Sequence, residues 1–344
     1  MPITKAILTG GGRATRLRPI TTTINKHLIP LAGKPMIFHA IEKVVEAGVK
    51  EIFINTNPGD EQMEKVIGNG ERWGITIKFF EQSGGPQGIA HVVKCAEKFI
   101  GSDPFMFYLS DNIILGGLKP LVQKFEAEDL DCLLTLSKVP DPERFGVPKF
   151  ENGKLVDVFE KPTRPPSDFA VTGIYLYNSN FFKAFNHIEK SARGEYEISD
   201  IHSYFLKNNF KVGYEEITGW WKDTGKPNDL LLANQLLLDQ LDHEVKIQSG
   251  HGTVIKDNVE LIGPVLIGDN CVLENCKIGP YVTIGNNSMV KSMTIKDSII
   301  FNDVELTAPI KLTNSIIGDK ARIVKHDIVD YHHMILGDQT VVEV

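Results

Sequence analysis

From Ala6 to about residue 110, short apolar runs alternate with segments whose apolar residues recur three and four apart. The runs AILTG (6–10), EIFINT (51–56), ITIKFF (75–80) and FMFYLSD (105–111) have the length and β-branched or aromatic content of buried strands. Between them, PMIFHAIEKVVEAGV, DEQMEKVIG and GIAHVVKCAEKFI predict helices. Strand–helix alternation predicts a mainly parallel sheet with helices on both faces, because a parallel neighbour is reached only by a crossover. The region extends to about residue 240 and closes with NDLLLANQLLLDQL, an amphipathic helix expected to begin near an N-cap at Asn228.

The pattern then changes period. Ile-Gly pairs recur at Ile262-Gly263, Ile267-Gly268, Ile278-Gly279, Ile284-Gly285 and Ile317-Gly318. Apolar residues fall six apart at Ile255, Leu261, Ile267 and Leu273, and again at Ile278, Ile284 and Val290. A six-residue phase with Gly, Asn and Asp between predicts a parallel β-helix, about three hexads to a triangular coil. An antiparallel sheet with Gly-Asn turns is the alternative, although hairpins impose no fixed six-residue phase. The expected domains are therefore 1–240 and 241–344.

Composition narrows the chemistry. Of 344 residues, 42% are hydrophobic and 24% charged, the balance of an ordinary globular chain. A formal net charge of -7 argues against general nucleic-acid binding. The four cysteines, Cys95, Cys132, Cys271 and Cys276, have neither metal-ligand spacing nor the look of a disulfide framework. With no signal peptide at MPITKAIL and no run of about 20 apolar residues, a cytoplasmic protein without membrane spans is expected.

Against that acidic background, the first strand runs into Gly10-Gly11-Gly12 and then Arg13, Arg16, Arg18 and Lys26. Glycines at a strand end let backbone N–H groups approach a phosphate. Neither the P-loop ending Gly-Lys-Ser/Thr nor the G-x-G-x-x-G fingerprint is met. The cluster suits a small polyanion in a cleft; a surface turn with solvated arginines is the plainer reading. Asp111 ends the run MFYLSD and Asp223 follows two tryptophans. Strand-end carboxylates cost desolvation unless paired or bound to a cation, and Mg²⁺ needs few of them. Each taken alone also fits a turn or cap residue. In VFEKP, Glu160 could accept sugar hydroxyls and Lys161 could hold a phosphate, or the two could be a solvated loop pair.

Taken in order, GGGRATRLRPIT, Lys26 with LIP, GKPMI, LSDN, DPERFGV, EKP, AVTGIY, SARGEYEISD and WWKDTG resemble the sugar-1-phosphate nucleotidylyltransferases. The similarity is greatest to the long form of glucose-1-phosphate thymidylyltransferase and covers essentially the whole chain. It implies a Rossmann-like, mainly parallel mixed α/β sheet flanked by helices, followed by a left-handed parallel β-helix. It implies that Gly10, Gly11, Gly12, Arg13, Ala14 and Thr15 cradle the nucleotide, and that Arg16 and Lys26 neutralise the triphosphate. Gln82 would read the pyrimidine edge, and Gly88 would let the base lie near the backbone. Asp111 and Asp223 would hold Mg²⁺. Asn112, Gly146, Glu160, Lys161, Val171 and Trp221 would form the sugar-phosphate site.

The implied reaction joins dTTP or UTP to glucose-1-phosphate, with Arg16, Lys26, Asp111, Lys161 and Asp223 as the catalytic set. A uridylyltransferase for another sugar-1-phosphate, such as N-acetylglucosamine-1-phosphate, is one alternative; a non-catalytic regulatory subunit is another. A fused acyltransferase would need a longer β-helix, and His326, His332 and His333 read as solvated surface residues. A homo-oligomer is expected. The sequence departs from the family pattern in four places. Ala14 stands for a usual Gly, which predicts a turn without positive φ there. His27 stands for Gln and Ser110 for Gly, and one extra residue lies between Gln82 and Gly88.

Overall fold

The computed structural model describes residues 1–217, 219–241, 246–324, 331–332 and 334–342. The chain forms two compact units, Met1–Gly12 with Ile37–Asp223, and Arg13–Met36 with Thr224–Val344. Among the described residues, no helix is long and apolar enough to cross a membrane.

In the first unit the four expected strands are β1 (Lys5–Thr9), β2 (Glu51–Thr56), β3 (Thr76–Glu81) and β4 (Phe105–Tyr108). They run parallel in the order β4-β1-β2-β3, joined through α1 (Met36–Glu46), α2 (Gln62–Ile67) and α3 (Ile89–Cys95). The third helical pattern divides: α3 stops at Cys95, and a separate turn follows at Glu97–Ile100. Beyond lie β5 (Asn112–Ile114), α4 (Lys119–Ala127), β6 (Cys132–Lys138), β7 (Gly146–Glu151), β8 (Lys154–Glu160) and β9 (Phe169–Tyr177). Here the pairing is antiparallel: β9 joins β4, β6 and β7, and β7 joins β8. The β7–β8 hairpin turns on Asn152 (φ 51) and Gly153 (φ 75), the left-handed pair that a tight hairpin needs.

After α5 (Asn180–Phe185) and α6 (Ile198–Lys207), β10 (Val212–Glu216) adds parallel to β6, and β11 (Trp221–Asp223) pairs antiparallel with β5. Phe105, Phe107, Tyr175, Tyr177, Phe181 and Phe205 fill an aromatic core. His202 is fully buried there, its Nε2 2.6 Å from the Tyr177 hydroxyl.

In the second unit, α7 (Pro227–Asp239) begins one residue before the expected cap: Lys226 is the N-cap and Asn228 lies inside the helix. Pro227 needs no N–H in the first turn and its fixed φ is already helical, so it sets the boundary.

The remaining chain is a left-handed parallel β-helix of three sheets, with six, six and five strands among the described residues. All described strand pairs in it are parallel, so the antiparallel alternative falls. Ile267, Leu273, Ile278, Ile284 and Val290 are buried in its core, as the six-residue phase requires. Ile255 departs from the pattern at 43% exposed. It lies on the strand Val254–Ile255, which among the described residues pairs on one side only, at the end of its sheet.

The structure also explains the Gly of the Ile-Gly pairs. A Cβ on Gly268, Gly285 or Gly318 would fall 2.4, 2.6 or 2.6 Å from the next coil. The residues after these corners form a ladder: Asn286, Asn302, Asp319 and Asp338 each accept a backbone N–H one coil earlier, at 2.8 to 3.0 Å. Of the three noted histidines, His326 and His333 lie outside the described residues. His332 ends the strand Tyr331–His332, and its side chain also lies outside the description.

Candidate active site

The glycine loop follows β1, at the carboxyl end of the parallel strands. Its three glycines serve two purposes. A Cβ on Gly10 would fall 2.7 Å from the Asn55 carbonyl, and one on Gly11 2.8 Å from Asn55 Nδ2, so the loop can lie against the end of β2 only without side chains. Gly12 has open space around it but φ +121. The Gly10 N–H donates to Asn55 Oδ1 (3.1 Å) and the Gly12 N–H to Asn57 Oδ1 (2.8 Å). These two bonds hold the loop in shape. Asn55 and Asn57 lie about 45 residues away, and no local pattern marked them.

The pairing of β5 with β11 brings the backbones of Asp111 and Asp223 into the same corner. Asp223 pairs in register with Asn112, the residue after Asp111. Asn112 is 3% exposed, and its carboxamide is the hub of this corner. Its Oδ1 accepts from Trp221 Nε1 (2.7 Å) and the Gly173 N–H (3.1 Å); its Nδ2 donates to Asp111 Oδ1 (2.9 Å). The Tyr108 hydroxyl donates to the Asn112 carbonyl at 2.8 Å. Gly173 sits where β9 loses register with β6, and a Cβ there would fall 2.7 Å from Asn112. Ser110, one of the departures from the family pattern, is fully buried; its N–H donates to Thr9 Oγ1 (2.9 Å).

Gly146, Glu160 and Val171 form a second group. Gly146 is paired with Glu160 on β8 and with Val171 on β9. Trp221 stands nearby, edge-on to Phe145 with centroids 5.3 Å apart. Lys161 has φ +45, its N–H donates to the Phe145 carbonyl (2.9 Å), and its Nζ lies 3.0 Å from Glu160 Oε1. Arg193 joins this group. It donates from Nη2 to Glu160 Oε1 (3.2 Å) and Glu197 Oε2 (2.7 Å), and from Nε to Glu197 Oε1 (3.1 Å). Partial burial works against the guanidinium, but the bond to Glu197 and the charges of Glu197, Glu160 and Glu195 raise its pKa. SARGEYEISD flagged the segment, but only the fold shows that Arg193 and Glu197 face the EKP loop.

A cavity of about 280 Å³ brings the glycine loop together with the Glu160–Lys161–Arg193 group, lined among others by Gly11, Gly12, Gln82, Gly88, Glu160, Lys161 and Arg193; Asp111, Asn112, Gly146, Val171, Trp221 and Asp223 are not among its lining residues. Gly88 has φ +95, and a Cβ on it would fall 2.5 Å from the Tyr196 carbonyl, so the fold itself demands glycine there. The longer Gln82–Gly88 connection turns on Gly84 and Gly85, both at positive φ, and Gln82 Nε2 closes it by donating to the Gly88 carbonyl (3.2 Å).

Arg13, Ala14, Thr15, Arg16 and Lys26 belong to the second compact unit. Arg16 is exposed on the short 3₁₀ turn Thr15–Leu17, and Lys26 opens the turn Lys26–Leu28, where Asn25 Oδ1 accepts from the His27 N–H. Ala14 overturns the expectation of a turn without positive φ: it is left-handed, at φ 44 and ψ 35. Its carbonyl accepts from the Leu17 N–H (3.0 Å) and Thr21 Oγ1 (2.9 Å), and these bonds offset the roughly 1–2 kcal/mol of left-handed strain.

A glycine loop closing the first strand of a parallel sheet, facing Lys161 and Arg193 across one cavity, places the protein among α/β enzymes that transfer nucleotides. The family model described as Nucleotidyl transferase matches residues 5–240, and that described as GMPPB C-terminal domain matches 243–344. The chain belongs to the nucleotidyl transferase family and is a sugar-1-phosphate nucleotidyltransferase. It is 33% identical to the low-salt glycan biosynthesis nucleotidyltransferase Agl11 of Haloferax volcanii, over 98% of this chain and 99% of that protein. It is 31% identical to a glucose-1-phosphate thymidylyltransferase of Streptomyces antibioticus, over 99% of both. A crystal structure from Bacillus anthracis, assigned as a glucose-1-phosphate thymidylyltransferase and in complex with a sucrose, shares 38% identity at a TM-score of 0.64. That match covers 67% of this chain and 94% of the other.

Proposed function

We propose that the protein joins dTTP or UTP to glucose-1-phosphate, releasing pyrophosphate and dTDP-glucose or UDP-glucose. The observation that carries this reading is the single cavity lined by the glycine loop, Gln82 and the Glu160–Lys161–Arg193 group. Full-length similarity to a glucose-1-phosphate thymidylyltransferase supports it.

The sugar phosphate, with a second pKa near about 6, is mostly a dianion at neutral pH and needs no general base. One of its oxygens attacks the α-phosphorus in line; that P–O bond forms as the bond to the β-phosphate oxygen breaks. Bringing the anions together is the main barrier, and fixed cations lower it by positioning and electrostatics. Lys161 holds the sugar phosphate beside the Glu160 carboxylate, which accepts sugar hydroxyls, with Gly146, Val171, Asn112 and Trp221 around the sugar. Gly10 to Thr15 bind the nucleotide, and Arg16 and Lys26 neutralise the triphosphate and the departing pyrophosphate.

Asp111 and Asp223 suit Mg²⁺. The Asp223–Asn112 register and the Asn112 amide bond to Asp111 support this assignment, and so sparse a carboxylate set would leave room for water and phosphate oxygens. Bound there, Mg²⁺ would supply charge neutralisation at the phosphates. In this reading residues 1–240 are the catalytic domain and 241–344 a β-helix domain that takes part in homo-oligomer contacts, and the protein works in the cytoplasm.

The test is pyrophosphate release with Mg²⁺, each nucleoside triphosphate and a panel of sugar-1-phosphates. Activity is expected with dTTP and UTP and much less with ATP or GTP; GTP as best substrate refutes the nucleotide assignment. The full-length similarity to a glycan biosynthesis nucleotidyltransferase makes uridylyl transfer to another sugar-1-phosphate the second reading, and the same panel separates the two.

A further inference from the structure

Gln82 ends in a carboxamide, whose two faces read opposite base edges. Its oxygen accepts an N–H; its nitrogen donates to a lone pair. Which end meets the ligand is set by what holds the other end. Gln82 Nε2 lies 3.2 Å from the Gly88 carbonyl and 3.0 Å from His91 Nδ1. A carbonyl can only accept, so the end facing Gly88 must be the nitrogen. The same nitrogen then has one hydrogen left for His91, and Nδ1 must accept it as a bare lone pair. Gln82 Oε1 has no hydrogen-bond partner among the described residues and is the free end of a side chain that lines the cavity.

The imidazole is itself held in place. It stacks on Tyr196 (6.0 Å, 21°) and lies 6.2 Å from the Phe185 ring. The Tyr196 N–H donates to the Gln87 carbonyl at 2.8 Å, so the residue that backs the ring also fixes the Gly88 turn. Burial, and then the charge of Lys190, lowers the His91 pKa, which keeps the ring neutral and Nδ1 able to accept.

We propose that His91 is a specificity-positioning residue: it locks the Gln82 carboxamide with its oxygen toward the cavity, selecting a base that presents an N–H. The imide N3–H of thymine or uracil meets that requirement, whereas N3 of cytosine is a lone pair facing a lone pair. The proposal rests on the pyrimidine nucleotide reading above. His91 does not line the cavity and acts only through Gln82.

The experiment is titration calorimetry of the full chain with UTP and with CTP, in wild type, His91→Phe and His91→Gln. Phe keeps an aromatic ring beside Tyr196 but offers no acceptor; Gln restores an acceptor. The UTP-to-CTP preference in Kd should fall about tenfold in His91→Phe, the worth of one anchoring hydrogen bond, and return in His91→Gln. In turnover the loss should appear in the nucleotide KM, with the KM for glucose-1-phosphate unchanged. If His91→Phe does not fold, His91→Leu, which likewise offers no acceptor to Gln82, takes its place. A folded variant that keeps the wild-type preference overturns the role of His91 alone. A wild-type protein that binds ATP or GTP more tightly than UTP overturns the pyrimidine reading and this proposal with it.

Discussion

Adding one methyl group to Gly146 tests whether the sugar lies where β7, β8 and β9 meet. A Cβ there would stand 3.6 Å from Glu160 Oε2, 3.7 Å from Val158 Cγ1 and 3.8 Å from Val171 Cβ. These are ordinary contacts, and the backbone is not left-handed, so the fold has room for alanine. Removing a glycine from the unfolded chain should raise stability by about 0.4–1 kcal/mol. The same methyl would intrude on a sugar bound beside the Glu160 carboxylate. Overfilling a packed contact costs about 1–3 kcal/mol, or roughly 5- to 150-fold in KM for the sugar phosphate. Gly88→Ala is the counterpart. With φ +95 and a Cβ 2.5 Å from the Tyr196 carbonyl, it should lose about 2 kcal/mol or more of stability. Urea denaturation and pyrophosphate release at saturating nucleotide, with the sugar phosphate varied, measure both effects. A stable Gly146→Ala enzyme with an unchanged KM for glucose-1-phosphate refutes the placement, and a destabilised one refutes the packing argument.

Asp111→Asn and Asp223→Asn should each lower turnover about 10²-fold or more with folding intact, and added Mg²⁺ should restore part of it; near-normal turnover means the metal site lies elsewhere. His202 has a pKa pushed down to about 3 by burial, against about 6.5 in the unfolded chain, so the unfolded state binds the proton that the fold refuses. Its effect is absent above pH 6.5 and lowers stability as pH falls from there toward 3; between pH 7 and 5 wild type should lose about 2 kcal/mol more than His202→Phe in paired urea melts, and equal losses would contradict this. Light scattering of the full chain should show a homo-oligomer. Ile247, Val254 and Ile255, exposed at 41%, 50% and 43%, are the apolar side chains we expect in its contacts, so Val254→Asp should lower the mass, and a monomeric wild type refutes the expectation.

The periodic features of this protein were legible along the chain because a helix, a strand and a β-helix coil each impose a local repeat on the residues that build them. The alternation through residue 110 yields the parallel order β4-β1-β2-β3, and the six-residue phase yields inward-facing Ile267 and Ile284. Ile255 breaks that phase because, among the described residues, its strand is the end strand of its sheet. What the tertiary structure decided are the demands one segment places on another far away in sequence. Gly10 and Gly11 answer to Asn55, Gly88 to the backbone of Tyr196, and Gly173 to the Asn112 amide. None of these partners leaves a periodic trace, so a glycine spared for a ligand and a glycine spared for a neighbouring backbone read alike. Ala14 is left-handed because the Leu17 N–H and the Thr21 hydroxyl bind its carbonyl, a constraint no residue type announces. The orientation of Gln82 likewise follows from a carbonyl six residues on and an imidazole nine residues on, brought within hydrogen-bond reach by the turn into α3.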